Sequence, residues 1–201
     1  MKYFCTFLTI FLLFASPVLV GEIQQLIIAC DGCHGPQGAS AESDIPVIGG
    51  QSATSIEKAL EQFKDWGRPC KRSAYRYGDL SRQPENMCEI SEGLSQEEIR
   101  TLAEYYASQA FVPAAQEFDE AKALAGANLH ALYCITCHPK GGSEAGYAGR
   151  LAGQWKPYLS VSIKQIQSGE WAVPKIMQRK MSSFTEDEVD ALLDFFASQQ
   201  E

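Results

Sequence analysis

Apolar positions recur at helical spacing in several segments of the chain, and the segments fall into two matching sets. Ile56, Leu60 and Phe63 are spaced like Leu159, Ile163 and Ile166. Further on, Ile99, Leu102, Ala103 and Tyr106 follow the i, i+3, i+4, i+7 pattern of a helix with one buried face, as do Val189, Leu192, Leu193 and Phe196. A hydroxyl followed three residues later by Glu opens each of these last segments, Ser95 with Glu98 and Thr185 with Glu188. That pair reads as a capping box, so the helices begin there. Residues Glu117 to Tyr133 predict one more helix. No segment alternates apolar and polar with period two, and the fold expected is all-α.

The two sets are copies of one unit. Cys30-Asp31-Gly32-Cys33-His34 matches Cys134-Ile135-Thr136-Cys137-His138 at an offset of 104 residues, and Ile48-Gly49-Gly50-Gln51 matches Leu151-Ala152-Gly153-Gln154 at 103. From there the offset drops to 90, pairing Met87 with Met177, Leu94 with Phe184 and residues 105–109 with residues 195–199. The difference sits at about residues 67–87, an insertion rich in Arg, Gly and Ser that carries Cys70 and reads as a surface loop. The expectation is two tandem domains, residues 22–112 and 113–201, joined near Phe111-Val112-Pro113. Each has few helices and is near the size at which a core alone is marginal, so a bound cofactor is expected to supply buried apolar surface.

Residues 1–21 carry a single charge, Lys2, and a dense apolar run from Phe7 to Phe14 ending in Ala15-Ser16-Pro17. This is the pattern of a cleaved secretory signal, with an uncleaved amino-terminal anchor as the alternative. Export to the periplasm is expected, and the first domain's opening helix should then be short. The formal net charge of −8 becomes −9 without the leader, with −6 in residues 22–112 and −3 in residues 113–201. Such a surface repels nucleic acid and anionic membrane and suits a basic partner.

Cys-x-x-Cys-His attaches c-type haem: both thiols add to the porphyrin vinyl groups and the histidine is the proximal iron ligand. Two copies, each heading one repeat, predict two covalently bound haems on Cys30, Cys33, Cys134 and Cys137, with His34 and His138 on iron. A zinc shared by the four cysteines would need ligands from two separate domains, and a redox dithiol lacks its βαβ setting. The distal ligand decides between electron transfer and catalysis at iron. The third histidine, His130, lies on the helix leading to its own motif and reads as an exposed helical residue. Met87 and Met177 are equivalent in the repeat and are the expected distal ligands. Met181, in the same loop as Met177, is the rival, but its counterpart is Ser91. Closed His/Met ligation leaves no open position, so no catalytic residue is expected. Cys70 and Cys88, left over from the motifs, are expected to form a disulfide that pins the insertion beside Met87. Trp155 and Tyr158 are candidates to pack on the second haem or bond its propionates.

These residues resemble the di-haem cytochromes of the cytochrome c4 type and, more closely, the cytochrome subunit of flavocytochrome c sulfide dehydrogenase. The likeness is carried by Ala115-Gln116-Glu117-Phe118-Asp119, Leu129-His130, Tyr133-Cys134, Leu151-Ala152-Gly153-Gln154-Trp155 with Pro157-Tyr158-Leu159, and the ending Ala197-Ser198-Gln199-Gln200. It implies two class I cytochrome c folds facing each other, and a flavoprotein (FAD) dehydrogenase subunit that oxidises sulfide and passes on electrons. The alternatives are a free shuttle to a membrane-bound terminal oxidase and a di-haem peroxidase. The insertion with Cys70 and Cys88 departs from the sulfide dehydrogenase pattern, at the surface where such a partner would dock.

Overall fold

The computed structural model describes residues 17–144 and 146–200. Eight α-helices lie among them: α1 Pro17–His34, α2 Ala53–Lys64, α3 Met87–Glu92, α4 Gln96–Ala107, α5 Glu120–Tyr133, α6 Lys156–Ser168, α7 Lys175–Met181 and α8 Glu186–Ala197. Each of α1 to α4 has its counterpart in α5 to α8. The described residues form no strand, only an antiparallel bridge between Ser73 and Glu85 inside the insertion.

Caps place most of these helices where the polar pattern predicts. Ser95 and Thr185 accept from the backbones of Glu98 and Glu188, whose carboxylates reach back, so both capping boxes are complete. Ser52 caps α2 and Asn86 caps α3. Asp119 accepts from Lys122 N–H, which starts α5 three residues later than the apolar pattern suggests.

Among the described residues α1 reaches back to Pro17, into the segment read as a leader, whereas the short opening helix is expected of the chain without that leader. The rest of that leader, residues 1–16, lies outside the described residues. The segment holding Met177 and Met181 is a helix, α7, rather than a loop, and one turn separates the two methionines. Among the described residues, no helix is long and apolar enough to cross a membrane.

Each half has its own core. Ile27, Ile56, Leu60, Leu94, Ile99, Leu102, Ala103 and Tyr106 fill the first. Leu159, Ile163, Ile166, Met181, Phe184, Val189, Leu192, Leu193, Phe195 and Phe196 fill the second. Helix α5 crosses α8 closely, with Gly126 against the backbone of Ala191.

The halves face each other with an approximate two-fold relation, in which Gln51 and Gln154, equivalent in the repeat, each meet the other half's backbone. The Gln154 side-chain amide accepts from Val47 N–H at 2.9 Å and donates to Val47 C=O at 2.9 Å. Its repeat counterpart Gln51 accepts from Arg150 N–H at 2.8 Å and donates to Arg150 C=O at 3.2 Å. Trp155 Nε1–H donates to Ser40 C=O at 3.0 Å, and its counterpart Ser52 donates to Gly146 C=O at 2.9 Å. At one edge the Arg68 guanidinium lies between the rings of Phe63 and Trp171, at 4.3 and 3.8 Å from their centroids.

Candidate haem-binding sites

In the first half Cys30, Cys33 and His34 project from the last turns of α1. The two thiols are free, whereas Cys70 and Cys88 are bonded to each other with Cα atoms 5.9 Å apart, the pairing expected of the two cysteines left over from the motifs. Burial pushes the Cys30 thiol up to about 11, although the neighbouring Tyr106 hydroxyl opposes the shift. Burial raises Cys33 as well. His34 is buried and its pKa lowered for that reason, although its bond to Pro46 and the charge of Asp31 oppose the shift. The Pro46 carbonyl stands 3.0 Å from Nδ1. A carbonyl can only accept, so Nδ1 carries the proton and Nε2 keeps a free lone pair, the tautomer that ligates iron.

Tyr106, from α4, locks this motif by donating to Asp31 Oδ1 at 2.8 Å. The insertion then covers its Cys33 side. The N–H groups of Arg76 and Tyr77 both donate to Gly32 C=O, at 2.7 and 3.0 Å. The Tyr75 ring sits where a Cβ on residue 32 would be, 2.5 Å from that position, so only glycine fits there.

The second motif follows α5 as a continuing turn, with Cys134 N–H donating to His130 C=O at 2.9 Å and His138 N–H to Cys134 C=O at 2.8 Å. Burial raises the Cys134 thiol and lowers His138. Cys137 is exposed, with no insertion over it. Gly149 stands where the first half has Pro46 and draws the His138 pKa upward, but no hydrogen bond of good geometry forms and the buried Nδ1 is without a partner.

His130, expected to be exposed, is buried at 3% exposure. Its Nε2 donates to the His138 carbonyl at 2.8 Å, and its ring packs on Phe195 and Phe196. Phe196 replaces Tyr106 of the first half and has no hydroxyl to tie down the motif, so His130 supplies the tether from within the helix. Periodicity could not show this, because the lock depends on which residue α8 brings opposite.

Met87 and Cys30 both pack at the edge of the first core, and Met177 and Cys134 at the edge of the second. Met181 lies buried inside that second core, and fully buried Ser91 takes its place in the first. Trp155 spends its only donor on Ser40, leaving none for a propionate. The Tyr158 hydroxyl faces Arg68 at 3.4 Å. Two buried donors that sequence reasoning missed have no partner, Arg76 Nε and Trp171 Nε1.

Among the described residues, no group of three or more His, Cys, Asp and Glu side chains stands together as a zinc or other metal cluster would. The donor set fits haem: a free thiol pair, an adjacent buried histidine with Nε2 available, a thioether on the same core, and unpartnered donors for carboxylates. Bound there, a haem supplies a one-electron iron couple.

A helical chain of two repeated units, each with one such site, is a di-haem c-type cytochrome. Residues 121–196 match the family model described as cytochrome c oxidase, cbb3-type, subunit III. The chain is 30% identical over 149 residues to cytochrome c4 of Thiocapsa roseopersicina, covering 69% of each. It is 35% identical over 91 residues to the cytochrome subunit of sulfide dehydrogenase of Chlorobaculum tepidum, covering 45% of this chain and 69% of that one. The crystal structure of reduced cytochrome c4 from Pseudomonas stutzeri superposes with a TM-score of 0.70 at 22% identity, over 89% of this chain and 97% of that one. The chain belongs to the cytochrome c4 family, carries two covalently bound c-type haems and functions in electron transfer.

Proposed function

We propose that this protein is a periplasmic electron relay, the electron-accepting cytochrome subunit of a flavin-dependent sulfide dehydrogenase. Cys30 and Cys33 hold the first haem between His34 and Met87, and Cys134 and Cys137 hold the second between His138 and Met177. The observation that carries the reading is the repeated site, where a neutral buried histidine follows a free thiol pair and a methionine lies at the edge of the same core. Closed His/Met ligation confines the iron to outer-sphere transfer, without catalysis. The flavoprotein donor rests on the likeness to the sulfide dehydrogenase subunit. The longer stretch shared with cytochrome c4 supports a second reading, a free shuttle to a membrane-bound oxidase.

Affinity purification of the native protein with an absorption spectrum tests both. Two Met-to-iron charge-transfer bands are expected in the oxidised form. Met87→Ala and Met177→Ala should each abolish one band and lower that haem's potential, while Met181→Leu keeps both. A five-coordinate haem in the reduced spectrum would overturn the relay in favour of a peroxidase. Co-purifying flavin favours the dehydrogenase subunit; reduction of oxidase-bearing membranes by the isolated cytochrome favours the shuttle.

A further inference from the structure

We infer that Gln154, in the second half, tunes the iron of the first half through a single peptide group. The inference rests on His34 being the proximal ligand, as proposed above. The peptide joining Pro46 to Val47 has both polar ends engaged. Its N–H donates to Gln154 Oε1 at 2.9 Å, and its carbonyl accepts from His34 Nδ1–H at 3.0 Å. The chain from the Gln154 amide to the His34 ring is therefore continuous and crosses the interface between the halves. The amide's orientation is not free, because Nε2 donates to Val47 C=O at the same time.

Gln154 is 2% exposed and Val47 1%, so no water can take over the acceptor role. Hydrogen bonds in series polarise one another, more strongly in a medium of low dielectric. Accepting at Val47 N–H leaves more negative charge on the Pro46 oxygen, which then pulls harder on the Nδ1 proton. The ring gains imidazolate character and stabilises the ferric state, as partners behind a ligating histidine do. Gln154 is thus a positioning residue that holds the first iron's potential down from the other domain.

The counterpart chain is broken. Gln51 accepts from Arg150 N–H, but the Gly149 carbonyl of that peptide makes no hydrogen bond of good geometry to His138 Nδ1. Gln51 and Arg150 are also only half-buried. The same architecture therefore acts strongly on one iron and weakly on the other.

The test is spectroelectrochemical titration of the holoprotein, with proton–nitrogen NMR of the two axial imidazole Nδ1–H groups in the reduced form. Gln154→Leu should shift the ferric-to-ferrous ratio of the first haem several-fold toward ferrous at fixed ambient potential. It should also move the His34 Nδ1–H resonance, leaving the second haem and His138 in place. Gln51→Leu should have a smaller effect, on the second haem. Gln116→Leu serves as the control: Gln116 also bridges backbone groups, donating to Gln154 C=O and accepting from Lys156 N–H, without touching the Pro46 peptide. It should move neither haem. An unchanged first haem in Gln154→Leu, or equal shifts of both haems in Gln154→Leu and Gln116→Leu, would overturn the inference. Failure of the ligand reading looks different: axial imidazole signals of the first haem would survive His34→Ala, which overturns both.

Discussion

Replacing Gly126 by alanine tests the close contact between α5 and α8. A Cβ there would lie 2.0 Å from the Ala191 carbonyl oxygen, 2.5 Å from its carbon and 2.7 Å from Phe195 Cβ. The obstacle is backbone on both sides, so no rotamer change relieves it. Helices α5 and α8 would have to separate by roughly 1 Å, and a gap of that size forfeits a quarter to a half of each dispersion contact along the seam. Val189, Leu192, Phe195 and Phe196, all buried on α8, belong to the core packed there. Overpacking costs about 1–3 kcal/mol and more when backbone is involved. Alanine returns about 1 kcal/mol of helix propensity. Taking the upper end of that cost, because rigid backbone is the obstacle, the net expectation is a loss of about 2 kcal/mol, which for a domain of this size lowers Tm by roughly 8–16 °C. Gly93→Ala is the control, since Gly93 has right-handed angles and a Cβ there meets only the Ile90 carbonyl, at 3.6 Å. That variant should melt at or slightly above the parent. Thermal melts of both holoproteins by far-ultraviolet circular dichroism decide the matter. Gly126→Ala melting no lower than Gly93→Ala would refute the crossing.

Two further outcomes follow from the first half. Cys70 and Cys88 close a loop with a sequence separation of 18, so the Cys70→Ser, Cys88→Ser double variant should lose about 3 kcal/mol in guanidinium unfolding. An unchanged midpoint would mean that the bridge constrains nothing the insertion's other contacts do not already hold. The Ser95 hydroxyl and N–H keep the Glu98 carboxyl below its ordinary pKa of 4.5. Its stabilisation is therefore complete above that pH and lost as pH falls through the lowered value. Glu98→Gln should lose a few tenths of a kcal/mol at neutral pH, because the site is exposed, and show a shallower acid limb in a series of melts. An acid limb as steep as the parent's would place the effect elsewhere.

Local and periodic features were legible in the chain. The capping boxes at Ser95 and Thr185, the apolar stripes of α2, α4, α6 and α8, and the cysteine–histidine motifs depend on residues within a few positions of one another, and the repeat registers them twice. Short α3 and α7 were not legible, because six or seven residues complete fewer than two turns and leave little periodicity to read. The reach of α1 back into residues 17–21 was not legible for a different reason: those residues belong to a segment whose composition also reads as a leader.

The sequence by itself determined that two haem-attachment motifs head two helical units, and that two cysteines remain to pair. Tertiary structure alone decided how each motif is held. His130 is buried because α8 brings Phe195 and Phe196 against it, while Tyr106 performs that task in the first half. Gln51 and Gln154 look like ordinary repeated residues in the chain. Only the reciprocal packing of the two halves sets each against the other's backbone, about a hundred residues away, where one peptide plane links Gln154 to His34. Hydrogen bonds at such separations depend on the relative placement of two domains, which spacing along a chain does not encode.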